Sequence, residues 1–248
     1  MSLKSGVLAL IVIAAGSPAM HAGTIIVPIA EDGTEGNANN TLPFDIAGFA
    51  LSSERYQQIY APLAFPAGPI LITGIDFRPD AGLGSAFSAT LPSIQIDLST
   101  TSATVDALST TFANNVGADD TVVFAMGPLS LSSADIGPAG GPKDFDIHIV
   151  FTTPFLYNRA NGSLLLDVRN FGGGTTGIFD AEGSLTQDAI SRVFTSGNQT
   201  VSSTTGTADS LGLVTQFDFV SATPEPATGI LAVVGLLAVA ALKSRIDR

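Results

Sequence analysis

The chain has 248 residues, of which 45% are hydrophobic and 13% charged, with 26 Gly, 14 Pro and no Cys. This length suits one domain with short segments at its ends, and the composition favours many short strands joined by turns over a helical bundle. The lack of cysteine excludes disulfides, cysteine-ligated zinc and thiol nucleophiles, and the formal net charge of −12 argues against binding to nucleic acid phosphates.

Residues 1–22 have the pattern of a secretory signal peptide. Lys4 precedes an apolar run at residues 6–15, Pro18 follows the run, and small residues surround Ala22. This is the order of a positive segment, an apolar segment and a cleavage site, and the apolar run is too short to span a bilayer. We expect cleavage near Ala22. The alternative is a buried N-terminal strand.

Residues 23–222 predict one all-β domain. Apolar and polar side chains alternate over about nine short segments, as in "PSIQIDLST", where Ile94, Ile96 and Leu98 share one face and Asp97 lies on the other. The other segments are "TIIVPI", "ERYQQIY", "ILITGIDF", "TVVFAM", "DFDIHIVF", "GSLLLDVRN", "ISRVF" and "GLVTQFDFV". No fixed repeat or long linker divides the region. We expect a single β-sandwich with jelly-roll or Greek-key connections.

Two acidic turns are weak candidates for a calcium site. Glu31 and Asp32 lie in "EDGTEGN", closely followed by Glu35, and Asp119 and Asp120 lie in "GADDT". Calcium prefers carboxylate oxygens on flexible loops, but neither stretch has the spacing of an EF-hand. Because ordinary solvated turns carry the same residues, the sequence predicts no metal and no other cofactor.

Tyr56 and Tyr60 share one face of the segment "ERYQQIY", with Gln58 between them. Exposed aromatic rings of this kind stack on sugars, whereas ordinary cross-strand packing would bury them. The sequence favours the packing interpretation and leaves a shallow sugar-binding strip as its alternative.

His148 is the one histidine after the expected cleavage site, and Asp146 lies two residues before it on the same predicted outer face. The two side chains could share a metal, or a serine could complete a catalytic triad with them. No third ligand and no "GxSxG" motif accompanies them in the sequence, so a solvated strand face is favoured.

Gly172, Gly174 and Gly177 in "NFGGGTTGIF" have the spacing of a dinucleotide-binding loop. Such a loop must lead into a helix, and the following "IFDAEGSLTQDAI" has no apolar helical stripe. We therefore expect a flexible hairpin connection at this position.

Residues 223–248 form the most specific pattern in the chain. The parts are the motif Pro224-Glu225-Pro226, an uncharged run at residues 228–242, and the cations Lys243, Arg245 and Arg248. As a helix the run would be about 22 Å long, and flanking cations can extend it towards the roughly 30 Å of a bilayer core. The two prolines keep the motif extended, and the terminal cations follow the positive-inside rule. The alternative, an amphipathic core helix, would need a polar face.

This arrangement resembles a PEP-CTERM sorting signal of exported bacterial proteins. The resemblance implies a tether in the membrane through the C-terminal helix, processing by a membrane enzyme of the exosortase kind, and a final location at the cell surface or outside it. Segments such as "RYQQIY", "ITGIDFR" and "LLLDVRNF", within residues 45–220, also resemble a domain of uncharacterised function that recurs in PEP-CTERM proteins.

We therefore expect a non-enzymatic protein of the cell surface or extracellular matrix, with no nucleic acid partner. One alternative is a module that binds extracellular polysaccharide, with or without calcium. The less favoured alternative is a glycoside hydrolase that uses two carboxyl groups in a groove.

Overall fold

The computed structural model describes residues 22–49, 51–183 and 189–222. These residues contain strands and short 3₁₀ turns but no α-helix, which confirms the all-β expectation. The strands are β1 (Ala22–Val27), β2 (Ala38–Asn40), β3 (Glu54–Tyr60), β4 (Pro69–Phe77), β5 (Phe87–Thr101), β6 (Thr121–Ser133), β7 (Ile147–Asn158), β8 (Ser163–Asn170), β9 (Phe179–Gly183), β10 (Ile190–Phe194), β11 (Thr207–Asp209), β12 (Leu211–Leu213) and β13 (Thr215–Ser221). The 3₁₀ turns are Ile29–Glu31, Ala47–Phe49, Pro62–Ala64, Phe112–Asn114 and Arg159–Asn161.

The strands described form three antiparallel sheets. The first has the order β1-β13-β4-β7, the second β11-β10-β3-β8-β5-β6, and the third β12-β9-β2. In the first sheet β1 pairs with β13, with Ala22 opposite Val220 and Val27 opposite Thr215. The first and last described strands are therefore neighbours.

One apolar core joins the inner faces of the two larger sheets. Ile94 and Ile96 of β5 and Phe217 of β13 are fully buried members of the same cluster. The Phe217 ring meets the Tyr60 ring of β3 edge to face, at 4.8 Å between ring centres. The alternation in these strands thus marks the residues that face this core. Each large apolar side chain buried there contributes about 2 kcal/mol to the free energy of folding.

The loop between β5 and β6, residues 102–120, covers the other face of the six-stranded sheet; we call it the covering loop. Its Leu108 and Phe112 pack on Ile59 of β3, Leu165 of β8 and Val193 of β10. Strands β3 and β8 are consequently buried on both faces.

Asp97 of β5 is only 1% exposed, although alternation places it on the face away from Ile94 and Ile96. Each of the nine segments contains a strand, but "GLVTQFDFV" is divided at Val214 into β12 and β13, which belong to different sheets. Strands β2, β9 and β11 were not predicted, because runs of three to five residues are too short to display alternation clearly.

Candidate functional site

The residues of the predicted sorting signal lie outside the described part of the chain. This holds for Pro224, Glu225 and Pro226 and for the cations Lys243, Arg245 and Arg248. The predicted signal peptide before Ala22 also lies outside it. Among the described residues no helix is long and apolar enough to cross a membrane. Both terminal signals stay predictions.

The four weak calcium candidates lie in two separate turns. A Glu31 carboxylate oxygen accepts a 3.0 Å hydrogen bond from the Thr34 hydroxyl, whereas Asp32 is exposed. Asp119 accepts a 2.7 Å hydrogen bond from the Thr100 amide, which pins the end of the covering loop to β5. Within the ranges described, no three His, Asp or Glu side chains are grouped so that they could hold a metal ion.

The aromatic strip suggested by Tyr56 and Tyr60 is buried. Both side chains are 0% exposed, so the sugar-stacking alternative is wrong and the packing interpretation is confirmed. The Tyr56 hydroxyl donates to Gln58 Oε1 at 2.5 Å, and Gln58 also exchanges two 2.8 Å hydrogen bonds with the backbone of Leu213. These polar groups hold β12 against β3.

His148 lies on the outer face of the four-stranded sheet as predicted, with 61% of its side chain exposed. Its partner is Asp76 of the neighbouring strand β4, at 2.7 Å from Nδ1 to Oδ1, and not Asp146. Asp146 instead accepts a hydrogen bond from the Ala134 amide. The sequence missed Asp76 because cross-strand neighbours are distant along the chain.

The glycine-rich segment connects two sheets. It leaves β8 of the six-stranded sheet and enters β9 of the three-stranded sheet, so the expected hairpin is wrong. Asn170 Oδ1 accepts hydrogen bonds from the amides of Gly172 and Gly173, and Gly173 has a φ of 73°, which favours glycine. A strand follows, whereas a dinucleotide-binding loop leads into a helix.

A cavity of about 200 Å³ lies at the edge of the six-stranded sheet, between the covering loop and strands β10 and β11. We call it the edge cavity. Its lining residues are Asp106, Leu108, Ser191, Arg192, Ala208, Asp209 and Ser210. None of them stands out in the sequence, because they come from three separate stretches of the chain.

Arg192 and Asp209 form the wall of the edge cavity as a cross-strand pair of β10 and β11. Arg192 donates from Nε and Nη2 to the two Asp209 oxygens, at 2.8 and 3.0 Å. Burial by itself lowers the pKa of Arg192, but the hydrogen bonds to Asp209 and the nearby acidic groups raise it above its ordinary value. The guanidinium also lies over the Phe194 ring, at 4.3 Å from its centre. Arg192 therefore keeps its charge in this wall.

Asp106 lies on the opposite side of the edge cavity, in the covering loop. Its φ of 61° is a left-handed conformation, and its amide donates to the Ser191 hydroxyl oxygen at 2.8 Å. Its carboxyl group makes no hydrogen bond or ion pair within the described chain. Partial burial raises its pKa. The edge cavity therefore contains one carboxyl group that is free to receive a ligand.

Glu54 lies inside the fold near Arg192. It is 0% exposed, and neither of its carboxyl oxygens has a hydrogen-bond partner among the residues that the structure describes. Burial raises its pKa to about 8, although the charge of Arg192 opposes the shift. Glu54 is therefore mostly protonated at neutral pH.

A second arginine lies fully inside the fold, where it pairs with Asp180. Arg78 Nε donates to Asp180 at 2.7 Å, and Nη2 donates to the Thr34 carbonyl at 2.6 Å. Burial raises the pKa of Asp180 to about 7 despite the charge of Arg78, and the charge of Glu35 adds to the increase. Burial also raises the pKa of Glu35, whose Oε1 accepts from the Ala81 amide. Glu35 was predicted in a solvated turn, but its carboxylate belongs to this cluster, which connects neighbouring loops through hydrogen bonds.

A third polar cluster lies under the covering loop. Arg55 forms a bidentate ion pair with Asp167, and Gln57 donates to the same carboxylate at 2.8 Å. Asp97, on the next strand, accepts from Gln95 at 2.9 and 3.0 Å. Burial raises the pKa of Asp97 to about 6. These contacts link the sheet to the polar groups under the covering loop.

No protein-family model matches the sequence, and no curated protein matches it.

Proposed function

We propose that this protein is exported and sorted to the cell surface by a PEP-CTERM signal, and that its β domain is displayed there without catalytic activity. The observation that carries the proposal is the order of elements at the C-terminus: Pro224-Glu225-Pro226, an uncharged run at residues 228–242, and terminal cations. The predicted signal peptide at residues 1–22 supports it, because a sorting signal of this kind acts only after export.

The fold that we propose for residues 23–222 is a β-sandwich. The shared apolar core supports this arrangement, because the inner faces of the two larger sheets contribute to one cluster. A domain without cysteine is suited to export, since its folding depends on packing alone and not on disulfide formation.

The pairing of β1 with β13 supports the proposed tether. Since Ala22 lies opposite Val220, the chain enters and leaves the domain at the same end of one sheet. The partners in this proposal are the membrane, through the C-terminal helix, and a processing enzyme of the exosortase kind.

The arrangement of carboxyl groups supports a non-enzymatic role. A carboxylate-based glycoside hydrolase needs two available carboxyl groups that face each other. Asp106 and Asp209 both line the edge cavity, but both oxygens of Asp209 are held by Arg192. Asp209 is thereby occupied as a structural partner.

The proposal is tested with a triple variant, Pro224→Ala, Glu225→Gln and Pro226→Ala, expressed in the natural host. We expect the natural protein to reach the surface or medium in a shortened form, and the variant to stay in the membrane at full length. The control variant, Thr223→Ser with Thr228→Ser, changes residues on either side of the motif and should be processed normally. Normal processing and release of the triple variant would refute the proposal.

A further inference from the structure

We propose that the edge cavity binds a single neutral sugar unit, with the Asp106 carboxylate as its main hydrogen-bond acceptor. This inference concerns the β domain alone, and it does not rest on the proposed sorting signal. A protein could bind sugar and be sorted in another way, or be sorted and bind no sugar.

The free polar groups in the edge cavity are of both hydrogen-bonding kinds. Asp106 offers carboxylate oxygens, and within the described chain they have no partner. Ser191 is 1% exposed, and its oxygen accepts from the Asp106 amide, so its hydroxyl hydrogen stays available. The Ser210 hydroxyl also has no partner among the described residues. A ligand must therefore donate to one side and accept from the other.

The charges of the edge cavity select a neutral ligand with hydroxyl groups. Anions accept hydrogen bonds only. Arg192, the cation of the lining, is already paired with Asp209, so an anion would meet the Asp106 carboxylate without a free cation of the lining to offset the repulsion. An ammonium group only donates, so it would leave the buried Ser191 hydroxyl unpaired. Hydroxyl groups both donate and accept, and two adjacent hydroxyls match the two oxygens of a carboxylate.

The size and apolar lining of the edge cavity fit one sugar ring. Its volume of about 200 Å³ is below the roughly 300–1,000 Å³ of pockets for drug-sized ligands. Leu108 and Ala208 provide apolar surface beside the polar groups, as the C–H face of a pyranose requires. One ring has few contact atoms, so we expect a Kd on the order of millimolar.

Arg192 gives the edge cavity a fixed wall. Only 7% of this residue is exposed, and Asp209 accepts hydrogen bonds from its Nε and Nη2 at 2.8 and 3.0 Å. Because this side chain is held before a ligand arrives, a sugar ring can pack beside it without the entropy cost of ordering the wall.

The experiment is ligand-observed saturation-transfer NMR on the full chain, in a detergent without a sugar head group. The probes are the methyl glycosides of glucose, galactose, mannose and N-acetylglucosamine, with ethanolamine and acetate as cationic and anionic probes. The variants are Asp106→Asn, which keeps a residue that tolerates positive φ, and Ala208→Leu, which fills the edge cavity. Asp32→Asn is the control, since Asp32 is an exposed aspartate in another loop.

We expect at least one glycoside to bind saturably, at least tenfold more weakly to Asp106→Asn and undetectably to Ala208→Leu. Asp32→Asn should bind like the natural protein, and all variants should keep its thermal unfolding midpoint. The proposal would be overturned if none of the glycosides bound saturably. It would also be overturned if Asp106→Asn and Ala208→Leu both bound a glycoside as tightly as the natural protein does. Saturable binding of ethanolamine or acetate alone would also overturn it, because the edge cavity would then select a charge.

Discussion

The Arg78–Asp180 and Arg192–Asp209 pairs use the same two residue types in different surroundings. Arg78 is 1% exposed and its partner is as deeply buried, whereas 38% of the Asp209 side chain is exposed. In the buried pair, burial raises the pKa of Asp180 to about 7. In the Arg192–Asp209 pair, burial lowers the pKa of Arg192, but the hydrogen bonds to Asp209 and the nearby acidic groups together outweigh burial and raise it. The more deeply buried pair connects segments inside the fold, whereas the more exposed pair lines a cavity.

The substitution Arg78→Met tests the buried pair and should have the largest effect. It leaves Asp180 without its cation and the Thr34 carbonyl without its donor, so we expect the free energy of unfolding in urea to fall by about 3–5 kcal/mol at pH 8. The loss should be smaller at pH 5, because a protonated Asp180 needs no cation. A loss that is equal at both pH values would show that Asp180 is ionised throughout.

Glu54 predicts an unusual dependence of stability on pH. Its pKa rises from 4.5 in the unfolded chain to about 8 in the fold, so the folded state holds the proton more tightly. The associated stability is fully present below pH 4.5 and is lost as the pH rises through 8. Asp97 and Asp180, with pKa values raised to about 6 and about 7, act in the same direction at lower pH.

We therefore expect urea unfolding to show higher stability at pH 5 than at pH 9. Glu54→Gln copies the protonated form, so above pH 8 it should be more stable than the natural protein, by on the order of a few kcal/mol. The two proteins should be alike at pH 5. Asp32→Asn is the control and should keep the natural profile; a Glu54→Gln profile identical to the natural one would contradict the assignment.

Arg192→Met tests the Arg192–Asp209 pair of the edge cavity. Asp209 is partly exposed and can regain water, so we expect a loss of only about 1–2 kcal/mol in the free energy of unfolding. The variant also removes the positive charge near Glu54, so the pH at which stability falls should move above that of the natural protein. A loss as large as that of Arg78→Met would show that exposure does not distinguish the two pairs.

His148→Ala removes a cross-strand partner of Asp76 whose own side chain is 61% exposed, and it should have the smallest effect. Asp76 keeps its 2.8 Å hydrogen bond from Gln216, so we expect a loss of about 1 kcal/mol or less. Val150→Ala, an exposed position on the same strand, is the matched control. A loss several times larger than that of the control would show that His148 stabilises the fold more than its exposure predicts.

The sequence predicted the strands that face the main core, because alternation records which side chains meet apolar neighbours. Ile94, Ile96 and Phe217 are buried as expected. Alternation did not predict that Asp97 is buried, since the covering loop covers the face that alternation marks as polar. The fold of a loop over a sheet depends on contacts between distant segments, and these leave no periodic signal.

The candidate site was even less accessible to sequence reasoning. In the sequence Asp106 is one aspartate among many, and it becomes a candidate site residue only because the fold places it opposite Ser191 and Arg192. The pairing of β10 with β11 brings Arg192 to Asp209, and β11 is only three residues long. The terminal signals present the opposite case, because their chemistry is local and the order of residues alone predicts them.

The most direct test of the account is the intact mass of the protein recovered from the surface or medium of its natural host. We predict a chain that begins after residue 22 and ends near residues 223–226, which would mean that both terminal segments are removed and the β domain is what the cell displays. A mass that includes Arg248 would contradict the account, because the C-terminal segment would then be a permanent part of the mature protein.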